Sequence, residues 1–194
     1  IYMDATKGWS LINDDATMQL GAAYVTATGG TITTSGDFKI HTFTGPGTFC
    51  VSNAGNSGGS NTIDYLVVAG GGGGGRGQCV GGGGGGAGGL RFSASTFTAP
   101  PASSPRAGSA IPVPTATGFP ITVGGGGAGA PDHTVKGTNG TNSILPVGSG
   151  ITSAGGGGGG SKSSGVQAGA NGGSGGGGGT RNGHGSGGGA PSGG

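Results

Sequence analysis

Apolar and polar residues alternate only in short stretches, and each stretch has the period of a strand. Residues 1–5 and 9–12 have strand composition and are separated by Lys7-Gly8, a hairpin signal. Residues 13–20 are polar and connecting. Residues 31–34 are rich in β-branched side chains, and Ser35-Gly36-Asp37 is a turn signal. Residues 37–44 then alternate strictly, which puts Phe38 and Ile40 on one face. Gly45-Pro46-Gly47 predicts a tight turn, with residues 48–52 returning as the partner strand. After a Gly/Asn/Ser loop, residues 62–69 give the most apolar strand. This pattern predicts a small β-sandwich over residues 21–69, preceded by a separate β segment over 1–20. The aromatics Tyr2, Trp9, Tyr24, Phe38, Phe43, Phe49 and Tyr65 are expected to be mostly core. His41, in mid-strand, is expected at the surface.

At residue 69 the pattern stops and composition takes over. Glycine is 58 of 194 residues, where a typical protein has about 7%. Its runs are 70–75, 81–86, 124–127, 155–160, 175–179 and 187–189. Glycine tracts often behave as flexible linkers. Six runs in one stretch exceed what a linker needs, and several follow a strand-like launch at 66–69, 120–123 and 151–154. The runs also carry almost no serine or charge. The ordered alternative is the left-handed threefold helix of the polyproline II type, whose backbone groups point sideways to neighbours. Only glycine fits inside such a bundle, because a Cβ blocks the approach. The expected fold is therefore all-β: a small N-terminal β-sandwich, then a bundle of polyglycine II helices over 70–194, joined by irregular loops, with essentially no α-helix. The longer segments 90–118, 130–150, 161–172 and 180–186 are the expected loops at the bundle ends, and loops on a rigid scaffold usually carry recognition.

Charge and motifs narrow the chemistry. Charged residues are 7% of the chain, the formal net charge is +2, and no two Lys or Arg are adjacent, so no basic stripe for nucleic acid forms. No apolar run approaches the ~20 residues of a bilayer span. The opening residues lack a signal-peptide pattern and read as the middle of a strand, so a longer parent chain is expected. No Gly-Lys-Ser/Thr follows a glycine run, which removes the phosphate-loop reading. The histidines His41, His133 and His184 have no Cys or acid at ligand spacing. Asp132 is the only acid after residue 69, leaving no carboxylate pair for hydrolysis. No enzyme activity, cofactor or metal is expected. Asn139-Gly140-Thr141 is a formal glycosylation sequon and reads as a turn. Cys50 and Cys79 either pair or remain as partly buried free thiols. Phe119 is expected to anchor packing, whereas Arg91, Phe92, Phe97, His133, Lys136, Arg181 and His184 are the candidate contact residues.

Residues 24–49, from Tyr-Val-Thr-Ala-Thr-Gly-Gly to Gly-Pro-Gly-Thr-Phe, followed by Asp64-Tyr-Leu-Val-Val-Ala and its six glycines, resemble the glycine-rich C-terminal domain of phage tail-fibre proteins. Gly118-Phe-Pro-Ile-Thr-Val with its glycines, and Gly137-Thr-Asn-Gly-Thr-Asn-Ser143, fit later parts of that pattern. The opening segment through Trp9 resembles the end of a fibre-shaft module. The resemblance implies a virion fibre, commonly a homotrimer, whose tip attaches non-covalently to a host receptor, a glycan or an outer-membrane protein, without entering the membrane. The competing reading is a structural spacer in a bacterial extracellular filament or surface protein. The family's closing Gly-Val-Val-Ile-Ile-Arg-Tyr-like strand is missing before Gly194, so the strand at 66–69 is expected to lack a partner.

Overall fold

The computed structural model describes residues 2–4, 8–9, 21–79, 81–93, 106–114, 117–180 and 186–188. Within them the protein is all-β, with fourteen short strands and no α-helix. The strands are β1 Tyr2–Asp4, β2 Gly8–Trp9, β3 Val25–Thr28, β4 Thr31–Ser35, β5 Phe38–Thr42, β6 Gly47–Ala54, β7 Thr62–Ile63, β8 Leu66–Val68, β9 Leu90–Ser93, β10 Ala107–Gly108, β11 Ile111–Pro112, β12 Thr117–Ile121, β13 Ser143–Leu145 and β14 Ile151–Ser153.

The longest strand, β6, is central to an antiparallel sheet ordered β12-β6-β3. Its alternation buries Phe49 and Val51 and turns Cys50 outward. Phe119 lies opposite Phe49, and Ala27 opposite Val51. The core is Ala27, Phe49, Val51, Val113, Phe119 and Val147, so it draws on residues from both sides of position 69. Phe119 is the packing anchor expected of it.

Several local expectations change. β6 does not return onto β5; it pairs with β3 and β12, while β5 pairs only with β4. The β4–β5 register puts Phe38 and Ile40 on one face, opposite Ser35 and Thr33. That hairpin is a separate two-stranded sheet, so Phe38 is 61% exposed instead of core, and Tyr24 is 64% exposed. His41 is half-buried, not a surface residue. Its Nδ1 lies 2.8 Å from the Gly29 carbonyl and its ring meets Phe49 edge-on at 5.2 Å. Side chains of Tyr2 and Trp9 lie outside the described residues. The strand at 66–68 has a partner after all: β9 pairs with β8, and Ser143 Oγ donates to the Val68 carbonyl.

Beyond the strands, the glycine segments bond to one another through their backbones, with a repeat of three. Gly70 and Gly73 donate to Thr141 and Thr138; Gly72 and Gly75 donate to Gly86 and Gly83. Gly156 and Gly159 donate to Gly70 and Gly73, and Gly127 and Ala130 donate to Gly71 and Gly74. One segment thus serves four neighbours in four directions. Burial has the same period: Gly83, Gly86 and Gly89 are buried, as are Gly173, Gly176 and Gly179. The central segment, 155–160, is buried throughout and bonds to 70–73, 83–86, 137–140, 170–173 and 174–177. Each glycine in it faces backbone where a Cβ would stand.

The directions of successive segments alternate. Ascending and descending residue numbers pair 83, 86 and 89 with 160, 157 and 154, whereas 156 and 159 pair in parallel with 70 and 73. Segments 69–75, 124–130, 154–161 and 174–180 therefore run one way, and 81–89, 137–142 and 167–173 the other. Strands β8, β9, β12, β13 and β14 all join the array at one end, tied by Ala69 N–H to Gly89 O and Gly124 N–H to Ser143 Oγ. Asn139-Gly140-Thr141 is not a turn: it belongs to a descending segment, with Asn139 Oδ1 accepting from Gly158 N–H.

Cys50 and Cys79 are both free and exposed, which excludes the pairing and the partial burial considered above. Native protein is expected to release two equivalents of chromophore per chain with an aromatic disulfide reagent, without denaturant. One equivalent or none would contradict this arrangement.

Candidate functional site

Alternating direction sends the connections of the array to two opposite ends. At the end away from the strands are the loops that follow the ascending segments, namely 76–79, 131–136 and 162–166. They are bonded into one platform. The Arg76 N–H donates to Ser161 Oγ (2.8 Å), whose residue is fully buried. The Lys162 N–H donates to the Arg76 carbonyl (3.2 Å), and the Ser163 N–H to the His133 carbonyl (3.0 Å). The Arg76 guanidinium donates from Nη1 to the Pro131 carbonyl. The loop 162–166 is also closed on itself. Gly165 adopts φ 85°, a conformation that favours glycine, and the Val166 N–H returns to the Ser163 carbonyl.

The electrostatics of the platform are one-sided. Arg76, Lys136 and Lys162 stand there with a single acid, Asp132. Asp132 Oδ1 accepts from the Thr134 hydroxyl and from the Thr134 N–H (2.6 Å). These two bonds, the hydroxyl first, hold its carboxyl below the ordinary carboxylate range, with His133 adding a little. The carboxylate is thus engaged in its own turn, and neither Lys136 nor Lys162 has an ion-pair partner among the described residues. Between the loops lies an open concavity of about 240 Å³, lined by Gln78, His133, Lys162, Ser163 and Ser164.

Of the residues expected to make contacts, His133 and Lys136 meet on this platform. Arg91 and Phe92 do not: they lie on β9 at the strand end, half-buried, paired with Val67 and Leu66. Phe97, Arg181 and His184 lie outside the described residues. Arg76, Gln78, Lys162, Ser163 and Ser164 were missed. Parity of the glycine runs could not have found them, because 124–127, 155–160 and 175–179 all ascend and the descending segments between them, 137–142 and 167–173, are not glycine runs.

No group of three or more His, Cys, Asp or Glu side chains able to hold a metal occurs among the described residues. No helix among them is long and apolar enough to cross a membrane. The arrangement offers hydrogen-bond donors and positive charge on a rigid base, which is suited to binding. No curated protein and no solved structure matches the chain. A family model described as a glycine-rich domain matches residues 42–194. That span takes in every segment of the bonded array together with the strands β6 to β14, and the chain belongs to this glycine-rich domain family.

Proposed function

We propose that this chain is the distal, host-attaching part of a phage tail fibre, and that its glycine segments are polyglycine II helices holding the recognition loops. The observation that carries the reading is the platform made by loops 76–79, 131–136 and 162–166 at the end of the array away from the strands. The threefold repeat in bonding and burial supports the helix assignment, since a threefold helix presents equivalent groups every third residue. The order of motifs that resembles tail-fibre tips supports the placement in a virion, as a homotrimer with the strand end toward the shaft. On this reading the protein works by adhesion to a host-surface glycan or outer-membrane protein, with no bond made or broken.

Binding of fluorescently labelled full chain to envelope fractions from a panel of bacteria tests the proposal. Saturable binding to some fractions and not others is the expected result. Absence of saturable binding across the panel would leave the spacer reading in its place.

A further inference from the structure

We propose that the concavity at the far end of the glycine array is a binding site for an anionic group of a saccharide, a phosphate or a carboxylate. This deepens the attachment reading by giving the chemistry of what the tip meets.

Every side chain of the lining carries a donor. Lys162 brings an ammonium, Gln78 an amide N–H₂, Ser163 and Ser164 hydroxyls, and His133 a ring N–H. No carboxylate lines it. Among the described residues none of these five side chains is hydrogen-bonded, so no described group takes up their donors. The one acid on the platform, Asp132, is engaged with Thr134. A neutral acceptor already takes a charge-assisted bond from the ammonium, but only an anion also makes the bonds from the neutral amide, hydroxyl and imidazole donors charge-assisted. An anion gains charge-assisted hydrogen bonds, which are roughly twice as strong as neutral ones.

The frame around these donors is rigid. Lys162 and Ser163 are held at their backbones by the Arg76 and His133 carbonyls, and Lys162 follows Ser161, which is completely buried at the head of the central segment. The backbones that carry Lys162, Ser163 and His133 are therefore held together before a ligand arrives, so that only side-chain rotamers remain to be ordered on binding. The concavity is open and about 240 Å³, a size suited to a single charged sugar unit.

The test uses the full ¹⁵N-labelled chain with three probes: mannose 6-phosphate, glucuronate and mannose. The two anions separate a phosphate source from a carboxylate source, and mannose is the neutral control. The expected result is that at least one anion shifts the backbone amides of Gln78, His133, Ser163 and Ser164, while mannose does not. Lys162→Gln is expected to weaken that binding about tenfold, the size of one charge-assisted bond, while Lys39→Gln on the exposed β5 hairpin leaves it unchanged. Raising salt from low to high ionic strength is expected to weaken it several-fold by screening. Equal shifts with mannose, or full binding by a folded Lys162→Gln, would overturn the site. Should Lys162→Gln lose the native spectrum, salt-insensitive binding by the parent chain overturns it instead. Envelope binding without any response to either anion removes this site and leaves the attachment reading standing. Anion binding with no envelope binding has the opposite consequence.

Discussion

Alanine at position 158 is expected to lower the melting temperature by about 6–12 °C, corresponding to roughly 3 kcal/mol at 2–4 °C per kcal/mol for a chain of this size. Gly158 is in the middle of the central segment, and a Cβ there would overlap the carbonyl oxygen of Gly137. That oxygen cannot withdraw cheaply. Gly137 is itself tied by its N–H to the Gly159 carbonyl, and the Gly158 carbonyl accepts from Ala170. One methyl group must therefore separate three segments, which puts the cost at or above the upper end of ordinary overpacking, about 3 kcal/mol. The same substitution at Gly84 gives the contrast. Nothing lies within 4 Å of a Cβ there, and Gly84 is exposed and outside the positive-φ set. Gly84→Ala is expected to be neutral or to stabilise by about 0.4–1 kcal/mol through the unfolded chain. Thermal unfolding of the two variants side by side separates packing from propensity. Equal melting temperatures would mean that the central glycines are not closely packed.

The contrast between Gly158 and Gly84 shows what the sequence could and could not disclose. Both are glycine within a six-residue run, and nothing local tells them apart. The need for ordered glycine was legible, because launch strands such as residues 66–68 and 151–153 aim the runs in a way a linker does not require. The all-β character was legible too, from period-two stretches bounded by turn signals. Which run lies against which was not, because the contacts are backbone to backbone and every glycine offers the same donor and acceptor. Pairing of β6 with β12 was hidden for a related reason: about sixty residues separate them, and Phe119 marks itself only as apolar. The exposure of Phe38 was misjudged because alternation fixes a shared face without fixing what that face meets. In the candidate site, His133 and Lys136 stood out as polar residues in a loop. Arg76 directly after one glycine run, and Lys162 one residue after another, carry no such local signal, although the alternation of segments places them beside His133.

Two side chains do carry the register of the array, and removing them should have the second largest effect. Asn139 and Asn142 are three residues apart, one threefold repeat. Asn139 Oδ1 accepts from the Gly158 N–H (2.8 Å), and Asn142 Oδ1 from the Gly155 N–H (2.9 Å). Both glycines are buried and both asparagines are exposed, so each asparagine covers an amide that loses its acceptor and opens to water once the side chain is gone. Asn139→Ala is expected to cost about 0.5–1.5 kcal/mol, the net worth of a hydrogen bond whose donor turns to water instead. Asn142→Ala should cost a similar amount, and the double variant less than the sum, because neighbouring sites in one segment share the same relaxation. Asn139→Asp keeps an acceptor for Gly158 while losing the Nδ2 bond to the Asn171 carbonyl, so it should fall between parent and alanine. Hydrogen exchange gives the site-specific reading. Gly158 should lose protection in Asn139→Ala and Gly155 should keep it, with the reverse in Asn142→Ala. If Gly158 stays fully protected in Asn139→Ala, its amide has another acceptor and the asparagine pair does not set the register. Loss at the matched glycine alone would mean that two amides three residues apart align a descending segment on the central one, in an array held mostly by backbone-to-backbone bonds.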